Sequence, residues 1–316
     1  MKYYLGIDLG GTNIVAGVVD EQYQIIQKSH RPTLLKRSFE EIVKDMALTA
    51  LDALKDAGLT KDDVAYVGIG VPSSVDPKTH QIIFANNLGW KNADVISEFH
   101  KTWDVPIAIA NDADCATLGE CLAGAGQDYD SMLMVTLGTG LGGGMALNRK
   151  LFLGGEGDGL EPGHIAIVHN GALCTCGQRG CLEAYASVTA LIRQSIDLMM
   201  VYPHSLMWDE CGHDLNKVEG RTPFSAAAKG DVAGKLVVDQ FVEYLSTGLA
   251  SLVTMLRPHA IIVGGGVSSA GDVIMVPLRK QVEQKMYAGD IVGPPDILLA
   301  KLGNDAGVIG AALLKV

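Results

Sequence analysis

Asp8-Leu9-Gly10-Gly11-Thr12 ends one apolar stretch, Tyr3 to Ile7, and leads directly into another, Ile14 to Val19. Both stretches read as strands, and a third, Tyr23 to Gln27, follows Asp20-Glu21 to make a β-meander. A glycine turn between strands brings backbone N–H groups close to a ligand, because no side chain stands in the way. Thr12 adds a hydroxyl donor, and Asp8 adds a carboxylate suited to magnesium, directly or through water. Taken alone, a Gly-Gly between strands is more often the chemistry of an ordinary hairpin.

The pattern recurs. Thr136-Leu137-Gly138-Thr139-Gly140-Leu141-Gly142-Gly143-Gly144 also joins two apolar runs, and Gly264-Gly265-Gly266 follows the strand Ala260 to Val263. Two matching turns at domain spacing imply two similar halves rather than a solenoid. Neither fits the P-loop pattern and neither opens a long helix, which excludes P-loop and Rossmann readings. Between them, Ser38 to Ala57 is the clearest helix, with Ser38 and Glu41 as a capping box and Gly58 as its stop. Val64 to Ile69 and Val105 to Ala110 are buried strands, a further helix starts near Asp272, and a capped helix closes the chain at Gly303 to Leu314. Residues 197–221 lack a clean period and read as a loop or irregular helical insertion. Gly124 and Gly126 suggest a division into 1–118, joined by about 304–316, and 119–303.

Cys174-Thr175-Cys176 and Cys181 place three thiols within eight residues, interleaved with Gly177 and Gly180. Thiolates in so tight a loop converge on one tetrahedral ion. Spacing leaves the fourth ligand open between His164 and His169. Ala110-Asn111-Asp112-Ala113-Asp114 ends a strand and opens a helix, so its polar residues are either helix caps or chemistry, and spacing does not separate Asp112 from Asp114.

These motifs together resemble the repressor/open-reading-frame/kinase (ROK) family of sugar kinases, glucokinases especially, over nearly the whole chain. The resemblance implies an α/β chain of the actin-like ATPase (ribonuclease H-like) fold, two lobes with a central cleft. It makes Asp8, Gly10, Gly11, Thr12, Gly138, Thr139, Gly140, Gly264, Gly265 and Gly266 the nucleotide-binding residues. A missing lysine after Thr12, with Asn13 in its place, is a common variation in the family. Glu161-Pro162-Gly163-His164 and the Cys174-x-Cys176-Gly-x-x-Gly-Cys181-Leu-Glu183 run match the family signature, so the resemblance selects His164 with Cys174, Cys176 and Cys181 as ligands of a structural zinc. It makes Asp112 the catalytic base and assigns Asn87, Asn111, Asp112, Glu161, His164 and Glu183 to the sugar. An ordinary Asn-rich turn accounts equally well for Asn87. Asp114 is then a first-turn acid favoured by the helix dipole. Asp112 is expected near the reference value of about 3.9.

The implied activity is transfer of the ATP γ-phosphoryl to the 6-hydroxyl of glucose. Fructose, mannose, allose or an N-acetylated hexosamine are alternative acceptors, and a non-catalytic sugar-sensing regulator is the contrasting class. Ser73-Ser74 falls at the pocket loop and bears on preference. ATP, Mg²⁺ and Zn²⁺ are the implied cofactors, and a homodimer or homotetramer is the implied assembly. Composition agrees. The 316 residues are 48% hydrophobic and 19% charged, enough for a packed core. A net charge of −11 without a Lys/Arg run argues against nucleic acid. Asp8 interrupts any signal-like stretch, and Tyr244 to Leu256 reads as too short and too polar for a membrane span. Six cysteines, three of them crowded between Cys174 and Cys181, do not make a secreted disulfide framework. The expected compartment is the cytoplasm.

Overall fold

Leu5, Ile7 and Leu9 are wholly buried, and the strand that carries them lies at the centre of the first sheet. The computed structural model describes residues 2–155, 157 and 159–316. In chain order, β1 (Tyr3–Leu9), β2 (Asn13–Val19) and β3 (Ile25–Pro32) are followed by α1 (Phe39–Asp56) and β4 (Val64–Val71). A small sheet of β5 (Ser74–Val75), β6 (Ile82–Ala85) and β7 (Trp90–Ala93) precedes α2 (Val95–His100), β8 (Ile107–Asn111) and α3 (Asp112–Leu122). Then come β9 (Ser131–Leu137), β10 (Leu141–Leu147), β11 (Lys150–Leu151), α4 (Glu183–Ala186), α5 (Val188–Val201), α6 (Met207–Glu210), α7 (Thr222–Ala228) and α8 (Val232–Leu256). The chain ends with β12 (Ala260–Gly264), α9 (Asp272–Lys285), α10 (Gly289–Val292), β13 (Asp296–Leu299) and α11 (Ala306–Ala312).

The first sheet has the order β3-β2-β1-β4-β8 and the second the order β11-β10-β9-β12-β13. These orders match position for position, which gives the internal repeat a structural form. In the first sheet β1, β2 and β3 pair antiparallel, whereas β1, β4 and β8 run parallel. Asp8 pairs with Gly70, and Val71 with Asn111, so Asp8 and Asn111 stand near the carboxyl ends of parallel strands. The third strand starts later than its sequence suggests. Asp20 Oδ1 accepts the N–H groups of Gln22 and Gln24, and Tyr23 adopts φ 62°, so the turn takes up those residues. In α1 the Ser38–Glu41 capping box is present, and Gly58, at φ 72°, ends the helix.

The chain forms two compact units. One comprises residues 1–133, 144–160 and 300–316; the other comprises 134–143 and 161–299. The expected boundary at 118 is therefore corrected: it falls inside α3, a continuous helix wholly within the first unit.

Within the first unit α11 packs backbone to backbone. A Cβ on Gly68 of β4 would lie 1.7 Å from the Ala311 carbonyl oxygen, and one on Gly310 would lie 1.6 Å from that of Cys115 in α3. The Tyr66 hydroxyl donates to the Ala312 carbonyl. Glu120, wholly buried at the far end of α3, secures the segment leading to α11. Its Oε1 accepts the N–H of Lys301 at 2.9 Å and of Leu302 at 2.7 Å, and its Oε2 accepts Ala125 N–H at 2.8 Å.

Within the second unit, residues 197–221 are irregular but helical: α5 runs to Val201, α6 follows, and Leu215–Lys217 makes a 3₁₀ turn. Asp231 ties this segment to α8, accepting from Ser205 Oγ, Leu206 N–H and Gly234 N–H. Helix α8 is 25 residues long, which corrects the expectation of a shorter apolar stretch. By length and composition it could cross a membrane, yet 61% of its most apolar window is buried, and α5, α7 and α9 pack on it.

Glu120→Ala removes the acceptor shared by three part-buried N–H groups, and a hydrogen bond to a charged group contributes about 1.5–3 kcal/mol. A loss of roughly 3–5 kcal/mol is expected as a shift of the urea midpoint. A shift under about 1 kcal/mol would contradict the role given to this carboxylate.

Candidate active site

In the first unit, the Gly10–Thr12 turn is clamped from β3. Buried Thr33 donates its hydroxyl to Gly10 O at 2.7 Å and its N–H to Thr12 O at 2.8 Å, while Gly10 N–H reaches Asn13 O at 2.9 Å. Gly11 and Thr12 remain exposed, and a Cβ on Gly11 would meet only open space. Asp8, at the end of β1, lies beside α11, where a Cβ on Gly307 would sit 2.8 Å from its Oδ2. Burial, and then the charge of Asp112, pushes the Asp8 carboxyl up to about 6. Two carboxylates this close in a half-buried setting form a natural seat for a divalent cation.

Asp112 is the first residue of α3, and its Oδ1 accepts Ala113 N–H at 2.9 Å. Burial raises its pKa and that hydrogen bond opposes the rise. The expected reference value is corrected accordingly, because a carboxylate at the end of a parallel strand is less solvated than one on a surface helix. Asn111 caps the helix: its Oδ1 accepts Ala113 N–H at 2.7 Å and Asp114 N–H at 3.3 Å, and its Nδ2 donates to Ser73 O at 3.1 Å. Asp114 is a first-turn acid of α3, as expected, and it is buried. With Ser73, Ser74, His80 and Asn111 it lines a cavity of about 140 Å³. Its burial was not legible in the sequence, because a first-turn acid looks the same whether solvent or a loop covers it. Asn87 lies exposed on the 3₁₀ turn Asn86–Leu88 and makes no hydrogen bond to these groups among the described residues.

In the second unit, the turn between β9 and β10 closes with Gly138 N–H on Gly140 O at 3.0 Å. The start of α5 grips it through Val188 N–H to Gly138 O, 2.9 Å, and Thr189 Oγ1 to Thr139 O, 2.7 Å. Glu183 Oε2 accepts Leu141 N–H at 2.9 Å, and a Cβ at Gly140 would lie only 2.3 Å from that oxygen. Gly265, at φ 84°, packs directly on β9, since a Cβ there would lie 2.5 Å from Leu137 N and O. Gly266, Val267, Ser269 and Ala270 form one side of a cavity of about 410 Å³, opposite Val188, Gly220, Arg221 and Phe224. The 219–225 wall was not legible in the sequence, because its distance along the chain hides its proximity to the third glycine turn.

The thiols converge. The ligand atoms of His164, Cys174, Cys176 and Cys181 all lie within 4.8 Å of one another. Cys176 Sγ and Cys181 Sγ are 3.7 Å apart, and Cys174 Sγ is 3.6 Å from His164 Nδ1. Tetrahedral zinc–sulfur bonds of about 2.3 Å require sulfurs about 3.7 Å apart, so the donor set fits zinc. Gly177 and Gly180 turn the loop at φ 88° and 85°. His169 instead pairs with Asn170 through Nε2, at 3.0 Å. The structure thus places His164 with the three cysteines. Glu161 accepts His164 N–H through its carbonyl, at 3.1 Å, and is itself exposed.

The chain is similar to known sugar kinases over nearly its whole length. The glucokinase of Thermotoga maritima is 35% identical over 309 residues, 98% of this chain and 95% of that protein. A ROK family glucokinase from Streptomyces griseus, solved with glucose and AMPPNP, is 35% identical, with a TM-score of 0.83 over 99% of this chain and 98% of that one. A ROK hexokinase from Thermus thermophilus is 31% identical, with a TM-score of 0.81 over 99% and 97%. The fold is thus the α/β actin-like ATPase fold of ROK sugar kinases. Residues 4–316 match the ROK family profile, and the chain belongs to that family.

Proposed function

We propose that the protein is an ATP-dependent hexose kinase acting on the 6-hydroxyl of glucose. The observation that carries the reading is the half-buried carboxylate of Asp112, presented by a capped helix start beside the carboxylate of Asp8. The glucokinase and hexokinase relatives support it. Asp112 orients the acceptor hydroxyl and takes its proton as the oxygen attacks the γ-phosphorus and the bond to ADP breaks. Phosphoryl transfer passes through a loose transition state, so positioning and charge neutralisation count for more than base strength. Asp8 holds the magnesium of Mg-ATP. The N–H groups around Gly10, Gly11, Thr12, Gly138, Thr139 and Gly140 receive the phosphates, and Gly264–Gly266 faces the adenosine, with Phe224 and Arg221 as the opposite wall.

Asn87, Asn111, Glu161, His164 and Glu183 bind sugar hydroxyls; Asn111 keeps a second amide hydrogen for this after serving Ser73. His164, through Nδ1, and Cys174, Cys176 and Cys181 hold a structural zinc. Such a saturated set keeps no open position for catalysis and instead fixes the loop that bears His164 and leads into Glu183.

A coupled assay with Mg-ATP across glucose, fructose, mannose, allose and N-acetylated hexosamines tests the substrate. Glucose is expected to give the highest kcat/KM. Sugar binding without turnover on any of them would favour a sensor. In the same assay Asp112→Ala is expected to lower kcat at least about a thousandfold while glucose binding persists by calorimetry. Turnover near wild type would remove Asp112 from the mechanism.

Asp8 gives a pH signature. Its folded pKa of about 6 exceeds the unfolded value, so the folded chain keeps a proton that the unfolded chain loses as pH rises from about 4. Stability therefore falls between about pH 4 and 6 and stays lower above. Asp8→Asn removes that penalty. It is expected to be more stable than wild type by about 1–2 kcal/mol at pH 7.5 and equal at pH 3.5, read from urea midpoints. Equal stability at both pH values would contradict the burial of this charge.

A further inference from the structure

The Glu183 carboxylate divides itself between two loops. Oε2 takes Leu141 N–H at 2.9 Å, whereas Oε1 takes the Thr175 hydroxyl at 2.7 Å and lies 3.5 Å from Cys174 Sγ. The first loop is the second glycine turn; the other carries the cysteines. Other bonds to the turn, from Val188 and Thr189, act on Gly138 and Thr139. The Gly140–Leu141 peptide is fixed at both polar atoms: its oxygen by Gly138 N–H, and its N–H by Glu183. The carboxylate lies against Gly140, where a Cβ would stand 2.3 Å from Oε2, and a carboxylate that moves away leaves Leu141 N–H without this acceptor.

Thr175 is exposed and is not one of the four metal-type donors, yet its hydroxyl is what orients Oε1. We propose that Thr175 is a positioning residue: by aiming Glu183 at Leu141, it makes the geometry of the Cys/His loop set the shape of the second phosphate turn. The loop then governs nucleotide affinity as well as sugar contacts. With the hydroxyl gone, Glu183 is free to rotate toward solvent, Leu141 N–H loses its acceptor, and the peptide that shapes the turn is free to tilt. The full loss of a hydrogen bond to a carboxylate corresponds to at least about tenfold; because it reaches the nucleotide only through the tilt of one peptide, about a three- to tenfold change in affinity is expected.

This inference rests on the kinase reading only in placing nucleotide phosphates at the second turn. The test is calorimetric titration of AMPPNP with Mg²⁺ into the full chain, with bound zinc measured on the same samples, for wild type, Thr175→Val and Thr175→Ser. Thr175→Val is expected to bind AMPPNP about three- to tenfold more weakly, with zinc content unchanged. Thr175→Ser is expected to restore binding to within about twofold. In steady state, KM for Mg-ATP rises by the same factor, while kcat stays within about twofold. Should Thr175→Val lose zinc, Thr175→Ala, which deletes the same hydroxyl with less bulk, decides. AMPPNP affinity equal to wild type in a zinc-loaded hydroxyl-deleted variant overturns the proposal and leaves the kinase reading intact. A wild type that binds AMPPNP but phosphorylates no hexose sinks the kinase reading alone, and one that binds no AMPPNP sinks both.

Discussion

Four donor atoms, from His164, Cys174, Cys176 and Cys181, share a space only 4.8 Å across. Three thiols and an imidazole held that close gain little from one another, since each competes for the same volume without a strong donor–acceptor match. A cation that takes all four as ligands turns that crowding into bonds. The loop's reversals at Gly177 and Gly180 serve this convergence, and Gly180 lies so close to Val168 that a Cβ would stand 1.8 Å from its carbonyl oxygen. Immediately after Cys181 comes the short helix bearing Glu183, so where the loop ends determines where that carboxylate points.

The first unit relies on a different constraint. Backbone contact among β1, β4, α3 and α11, made possible where Gly68 and Gly310 carry no side chain, brings the start of α3 and the flank of α11 to the ends of parallel strands. There two carboxylates are partly desolvated and repel each other, which raises the Asp8 pKa. A site that holds two such charges is prepared for a cation and a polyanion together, the pair that Mg-ATP presents in the proposed reaction.

Local chemistry made much of this legible. The capping box of α1, the glycine turns after β1 and β9, and the cysteine spacing all depend on residues a few positions apart, and each appears where the sequence placed it. The choice of His164 over His169 and of Asp112 over Asp114 came from resemblance, because residue type and spacing were equal for both. Tertiary placement hid the rest. Asn111 is a helix cap as well as a candidate sugar ligand, and Asp114 is buried against a cavity. Phe224 and Arg221 reach the third glycine turn across some forty residues of chain, and Thr175, an unremarked spacer between cysteines, meets Glu183. None of these contacts has a local pattern from which to read it.

The ion proposed for the Cys/His cluster holds together the loop that leads into Glu183. X-ray absorption at the zinc edge, on protein purified without added metal, tests it most directly. One zinc per chain in a shell of three sulfurs and one nitrogen is the predicted result, matching Cys174, Cys176, Cys181 and His164. A fully active chain without metal, or a zinc bound through oxygen alone, would contradict it.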